Sequence, residues 1–232
     1  MYIIIILIVT IILLTLGLDI RIKDLKNIKE KAYDKSLVEI TNKLPENEEI
    51  CTQILRILKN ENVTIQKEEN SKTSLYMVMS NKIIIGNIKE SFTRIQTIAH
   101  ECIHSVQNKK MLKFNFIFSN VYLLYYALVI ICTILKIPQS TELNYILLII
   151  QIMLSLVYII IRSYIEIDAM TRAPYLAKDY LNLTNLNIEE KHIINSNYEE
   201  LNKIGIKLYV YTLAVKCIIR TLIYSLIILI FG

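Results

Sequence analysis

Four stretches of this chain are apolar for close to twenty positions each, and between the first two, hydrophobic and charged residues alternate in helical steps. The first stretch covers residues 2–18 and is broken only by Thr10, Thr15 and Gly17. The others cover about 117–135, about 145–161 and about 208–231. Each is near the length at which a helix crosses a hydrocarbon core, so the pattern predicts about four transmembrane helices. The middle two form a hairpin around the short loop 136–142. After the first run, residues from about 20 to 44 predict a juxtamembrane helix closed by Pro45, and a second helix reaches about Lys59 with Ile50, Ile54, Leu55, Ile57 and Leu58 as its buried stripe. β-rich segments at 74–79 and 82–85 flank Ser80-Asn81 and predict a β-hairpin. A further helix, N-capped near Ser91, runs to about Asn108.

Composition supports a lipid setting. Of 232 residues 54% are hydrophobic, none is Trp, and the mean hydropathy is +0.44, an apolar excess that excludes an ordinary soluble domain of this length. Charge follows the first run instead of preceding it, the reverse of a signal peptide, so residues 1–18 read as an uncleaved anchor. Most of the 26 lysines and arginines lie between Arg21 and Lys113, while the hairpin loop offers only Lys136. By the positive-inside rule, 19–113 is cytoplasmic and the N-terminus faces out. The same bias accounts for the net charge of +5, which therefore implies no nucleic-acid partner; a basic face suits anionic lipid. Residues 114–165 then form the transmembrane hairpin, 166–207 a second cytoplasmic helical segment, and 208–232 the terminal transmembrane helix. The four cysteines, Cys51, Cys102, Cys132 and Cys217, lack any paired spacing and are expected as free thiols.

The candidate chemistry is concentrated in His100-Glu101-Cys102-Ile103-His104, an HExxH motif that uses two of only three histidines. Positions i and i+4 share a helix face, so two imidazoles can hold one Zn²⁺ while Glu101 reaches the metal's water as general base. Cys102 points off that face and suits packing. A catalytic zinc needs a third protein ligand. His192 lies in a polar stretch and reads as a surface histidine. Glu166 is better placed, because two crossings separate it from His104 and return the chain to the same side. Acidic residues beside a membrane helix need partners; Asp168 is a candidate to accept the outer N–H of a zinc histidine, or to pair with Arg162 or Arg172. Arg172 or Tyr175 is a candidate to stabilise an oxyanion. Lys216 and Arg220 share a face of the last span, where they either meet protein, Asp168 or a substrate carboxylate, or snorkel to the interface.

The run from His100 to Gln107, together with Glu166-Ile167-Asp168-Ala169-Met170-Thr171-Arg172-Ala173 after a transmembrane hairpin, resembles the bacterial membrane neutral zinc metallopeptidases of the YugP type. The order of parts agrees over nearly the whole chain. The resemblance implies one zinc per chain held by His100, His104 and Glu166, with Glu101 as base, and Gln107, Asp168, Ala169, Arg172 and Ala173 at matching positions around them. Ile103 departs from the glycine usual before the second histidine, and Pro174 suggests a bend after the ligand helix. The expected fold is a mainly α integral membrane protein with a small cytoplasmic zincin-like α+β segment, whose hairpin either offers a strand edge to an extended peptide or simply covers the metal helix. The expected function is peptide-bond hydrolysis at the cell membrane, with a peptide or membrane-protein substrate. The alternatives are a membrane scaffold with a structural or inactive zinc site, and zinc-dependent hydrolysis of a non-peptide amide.

Overall fold

The computed structural model describes residues 2–137 and 140–231 and is mostly helical, with one three-stranded sheet. In chain order the elements are α1 (Tyr2–Gly17), α2 (Ile22–Ala32), α3 (Lys35–Asn42), α4 (Asn47–Ile57), β1 (Thr64–Glu68), β2 (Leu75–Met77), β3 (Lys82–Gly86), α5 (Arg94–Val106), α6 (Lys109–Ile134), α7 (Thr141–Asn182) and α8 (Ile188–Phe231). They divide into two compact units, Met1–Ile20 with Phe114–Tyr164 and Lys207–Gly232, and Arg21–Lys113 with Ile165–Ile206.

The first unit holds α1 and the apolar parts of the three long helices. α6, α7 and α8 are long and apolar enough to cross a membrane, and at most 39% of the apolar window of any of them is buried, so their hydrophobic surface faces outward. α1 has 16 residues, about 24 Å of helix against a hydrocarbon core of about 30 Å. It counts as a fourth span only if it and α2, bent by 57°, are one broken crossing. The expected hairpin loop includes Pro138 and Gln139, which lie outside the described residues. Val129, Leu148, Tyr224 and Ile228 form this unit's apolar core. Beside it, the Tyr122 hydroxyl meets Ser155 Oγ at 2.8 Å, Gln151 Nε2 donates to it at 3.2 Å, and the Arg220 guanidinium lies 5.3 Å from the Tyr122 ring centre. Arg220 thus faces protein, whereas Lys216 is exposed.

The second unit is built on a sheet ordered β1-β3-β2. β3 is central because its Ile83 and Ile85 are buried. It pairs parallel with β1, Thr64 opposite Lys82, and antiparallel with β2, Tyr76 opposite Ile83. β2 and β3 are the expected hairpin, and Asn81 supplies the left-handed residue of its turn at φ 50°. The Asn81 carboxamide also accepts from Tyr76 Oη at 2.8 Å and donates to the Asn62 carbonyl at 2.8 Å. β1 carries little hydrophobic signal, since Thr64, Gln66 and Lys67 are exposed, and only its partner reveals it. Gly86 ends β3 where loop 71–74 folds back; a Cβ there would sit 2.6 Å from the Thr73 carbonyl oxygen.

Four boundaries differ from the sequence reading, the first being that the terminal helix expected over 208–232 is the end of α8, which starts at Ile188. The juxtamembrane helix is two helices, because Asp34 accepts from the Ser36 and Leu37 N–H groups and starts α3 afresh. The metal-motif helix begins at Arg94, a turn after Ser91, whose hydroxyl instead accepts from the Thr93 N–H. α7 runs unbroken from Thr141 through Pro174 to Asn182, so Glu166 stands within a 42-residue helix and not at the start of a new one. Proline there forfeits one rung of the ladder, and the long helix on either side retains the others.

Arg94 anchors the start of α5. Its side chain is fully buried, with Nη1 donating to the Pro45 carbonyl and Asn47 Oδ1 at 2.9 Å, and Nη2 to the Thr41 and Leu44 carbonyls at 2.6 and 3.1 Å. These oxygens lie where α3 ends and α4 begins, so one cation serves orphan carbonyls at a helix terminus and pins the metal helix to that corner. Burial pulls the guanidinium below its usual range, yet an arginine stays protonated.

Candidate metal centre

α5 is amphipathic in a specific sense. Ile95, Ile98, Ala99 and Cys102 repeat at helical spacing and are wholly buried, which orients the remaining face that carries His100 and His104. Cys102 packs as expected, its Sγ 3.6 Å from Cys51 Sγ, and all four cysteines are free. On α7, Glu166 shares a face with Ala169 and Ala173, three and seven positions on, while Ala177 extends the row; all three alanines are buried in the same core as α5. Small side chains there let helices approach closely.

That approach brings the three ligand candidates together. His100 Nε2 lies 3.0 Å from His104 Nε2, and Glu166 Oε2 lies 3.2 Å from the first and 3.7 Å from the second. Three donors bound tetrahedrally at about 2.1 Å would stand about 3.4 Å apart, so the observed spacings bracket what a small ion requires. Among the described residues this is the group of three or more His, Cys, Asp or Glu able to hold a metal ion. The donor chemistry points the same way. Three lone-pair donors converge in a mostly buried place, and a cation among them relieves the repulsion between them. His100 is the most open, with 20% of its side chain exposed against 9% for Glu166, so access is on its side.

Glu101 does not join the ligands. Its Oε2 accepts the Tyr76 main-chain N–H at 2.7 Å. Tyr76 belongs to β2, one of the two edge strands of the sheet, so the general-base candidate is tied to that strand through Oε2. Burial pushes the Glu101 carboxyl above the usual carboxylate range, against the opposing pull of His100 and His104. For His104, burial works to lower the pKa, but the hydrogen bond and charge of Glu166 outweigh it and the net shift is upward.

Behind the ligands stands a polar chain that the sequence reading placed one step too short. Asp168 does not touch a histidine. Gln107 lies between: its Oε1 is 2.8 Å from His104 Nδ1, and its Nε2 donates to Asp168 Oδ2 at 2.7 Å and to the Ile165 carbonyl at 2.9 Å. Asp168 also pairs with Arg172 at 3.4 Å. Tyr175 is nine positions past Glu166, two and a half turns, hence on the opposite side of α7, and it is 67% exposed. Neither it nor Arg172 is a member of the ligand group. His192 is exposed on α8. Unforeseen in sequence was the Tyr76 N–H, a main-chain group that no motif could mark; Gln107 was marked by the resemblance as a position around the ligands, but its bridging role was not.

Compared with protein-family models, curated proteins and solved structures, the chain matches none.

Proposed function

We propose that this chain is a membrane-embedded zinc metallopeptidase, a divergent relative of the family its motifs resemble. The observation that carries the reading is the convergence of His100, His104 and Glu166 beside a buried carboxylate that is not itself a ligand. Two imidazoles and one carboxylate suit zinc, and three protein donors with an approach on one side are the pattern of a catalytic site, where a structural site would use four. Zinc held there supplies the Lewis acidity that makes water a nucleophile near neutral pH and polarises a peptide carbonyl.

The protein's own groups do the rest. Glu101 Oε1 takes a proton from the attacking water as the C–O bond forms, and delivers it to the amide nitrogen as the C–N bond breaks. Its Oε2 stays on the Tyr76 N–H, which keeps the base aimed. With the outward-facing N–H of β2 given to this carboxylate, the hairpin serves as a cover that fixes the base on the metal helix. α6, α7 and α8 hold the enzyme in the cell membrane, and the basic residues of 21–113 favour a cytoplasmic site.

Glu101→Gln tests the mechanism. The purified variant is expected to keep about one zinc per chain by elemental analysis and to lose hydrolysis of a peptide library by about 10²–10⁴-fold. Unchanged hydrolysis would sink the assignment of the base, and a wild-type protein without zinc would sink the metal reading.

A further inference from the structure

The amide of Gln107 can sit only one way round. One end of it faces two acceptors, the Ile165 carbonyl and Asp168 Oδ2, at 2.9 and 2.7 Å, so that end must be the NH₂. Its oxygen is therefore turned to His104 Nδ1, 2.8 Å away, and can only accept. His104 must then carry a hydrogen on Nδ1, which leaves its other ring nitrogen, Nε2, directed at His100 and Glu166.

From this we infer that Gln107 is a positioning residue for the metal centre, with two separable tasks. It selects the Nδ1–H tautomer of His104, so that Nε2 offers its lone pair to the ion. It also clamps the stretch of α7 that bears Glu166, since Ile165 is the residue immediately before that ligand and Asp168 lies two after it. One side chain three residues past a ligand on α5 thereby holds ligands from segments about sixty residues apart in register with one another. A carboxylate in its place would accept from His104 equally well, yet it could not donate to the Ile165 carbonyl and would repel Asp168. An amide is the group that serves both neighbours.

The inference rests on the metal-binding reading, and two measurements on the full-length chain separate them. The first needs no metal. In metal-depleted protein with ¹⁵N-labelled histidine, held above the pH at which the imidazoles are protonated, His104 is expected to show the Nδ1–H tautomer. Gln107→Leu should mix the tautomers, and Gln107→Glu should restore Nδ1–H. The second measurement is zinc affinity by chelator competition. Here Gln107→Leu is expected to bind about 10–100-fold more weakly than wild type. Gln107→Glu is expected to fall between them, having the tautomer without the clamp. Circular dichroism that matches wild type shows that each variant is folded. If Gln107→Leu keeps both the tautomer and the zinc affinity of the wild type, the positioning role is overturned while the metal reading stands. If wild type binds no zinc, the metal reading falls first and takes this role with it.

Discussion

In the first unit, the buried serine and threonine hydroxyls are served locally. Thr133, Ser155, Thr221 and Ser225 each donate to the carbonyl four residues earlier in their own helix. Cross-helix bonds come in small sets, such as Tyr122 with Ser155 and Gln151. In the second unit the bonds join segments remote in sequence: Arg94 to the α3–α4 corner, Tyr198 Oη to the Phe92 carbonyl, Gln107 to Ile165 and Asp168. The contrast follows from helix length. α6, α7 and α8 have 26, 42 and 44 residues, and their apolar parts in the first unit satisfy their own backbones, as spanning a hydrocarbon layer demands, while 165–182 of α7 and 188–206 of α8 belong to the second unit with the short helices. α2 to α5 have 8 to 13 residues, too few to be stable alone in water, and must be held by tertiary contacts. A metal group whose donors come from two separate segments belongs in the second kind of structure, because only long-range clamps can fix such donors to a fraction of an ångström.

The comparison predicts where the protein breaks. Arg94→Met should have the largest effect, about 3–5 kcal/mol, because it takes the guanidinium donors from four oxygens at the α3–α4 corner, of which the Thr41 carbonyl keeps the Leu44 N–H. A thermal melt in detergent would register it, together with loss of metal binding, and a variant as stable as wild type would mean the clamp is dispensable. Gly86→Ala comes next at about 1–3 kcal/mol, since its Cβ meets main chain that cannot yield without moving loop 71–74 and the start of β2. Hydrogen exchange at the Tyr76 amide should quicken along with it. Asp34→Ala should lower the melting temperature by less, and in a pH-dependent way. The Ser36 hydroxyl, then the Leu37 N–H, hold the Asp34 carboxyl below its ordinary 3.8. Its stabilisation is therefore complete above that pH and fades as pH falls below it, so the gap between variant and wild type should close in acid. Tyr122→Phe in the first unit should be mildest, near the roughly 0.6 kcal/mol typical of a hydrogen bond between membrane helices. A loss as large as that of Arg94→Met would erase the contrast between the units.

Much of the secondary structure was legible because it depends on local periodicity. The three long apolar helices, the β2–β3 hairpin and α4 follow from residue spacing alone. What failed were boundaries set by single side chains or by neighbours. Asp34 interrupts a helical pattern that otherwise continues, α5 starts late because Ser91 serves a turn, and β1 exists only because β3 lies beside it. Pro174 was a misleading sign, since a helix as long as α7 absorbs one lost rung.

His100, Glu101 and His104 were determined by sequence, because a four-residue step on a helix is itself a geometry and needs no tertiary contact. Glu166 could be nominated that way from the order of elements, but its meeting with the imidazoles depends on the alanine face of α7 packing into the shared core. The binding of Glu101 to the β2 edge, and the reach of Gln107 to Asp168, were decided only by the folded chain. Hydrogen bonds between residues 25 and 61 positions apart leave no periodic trace, since they depend on where whole elements come to rest.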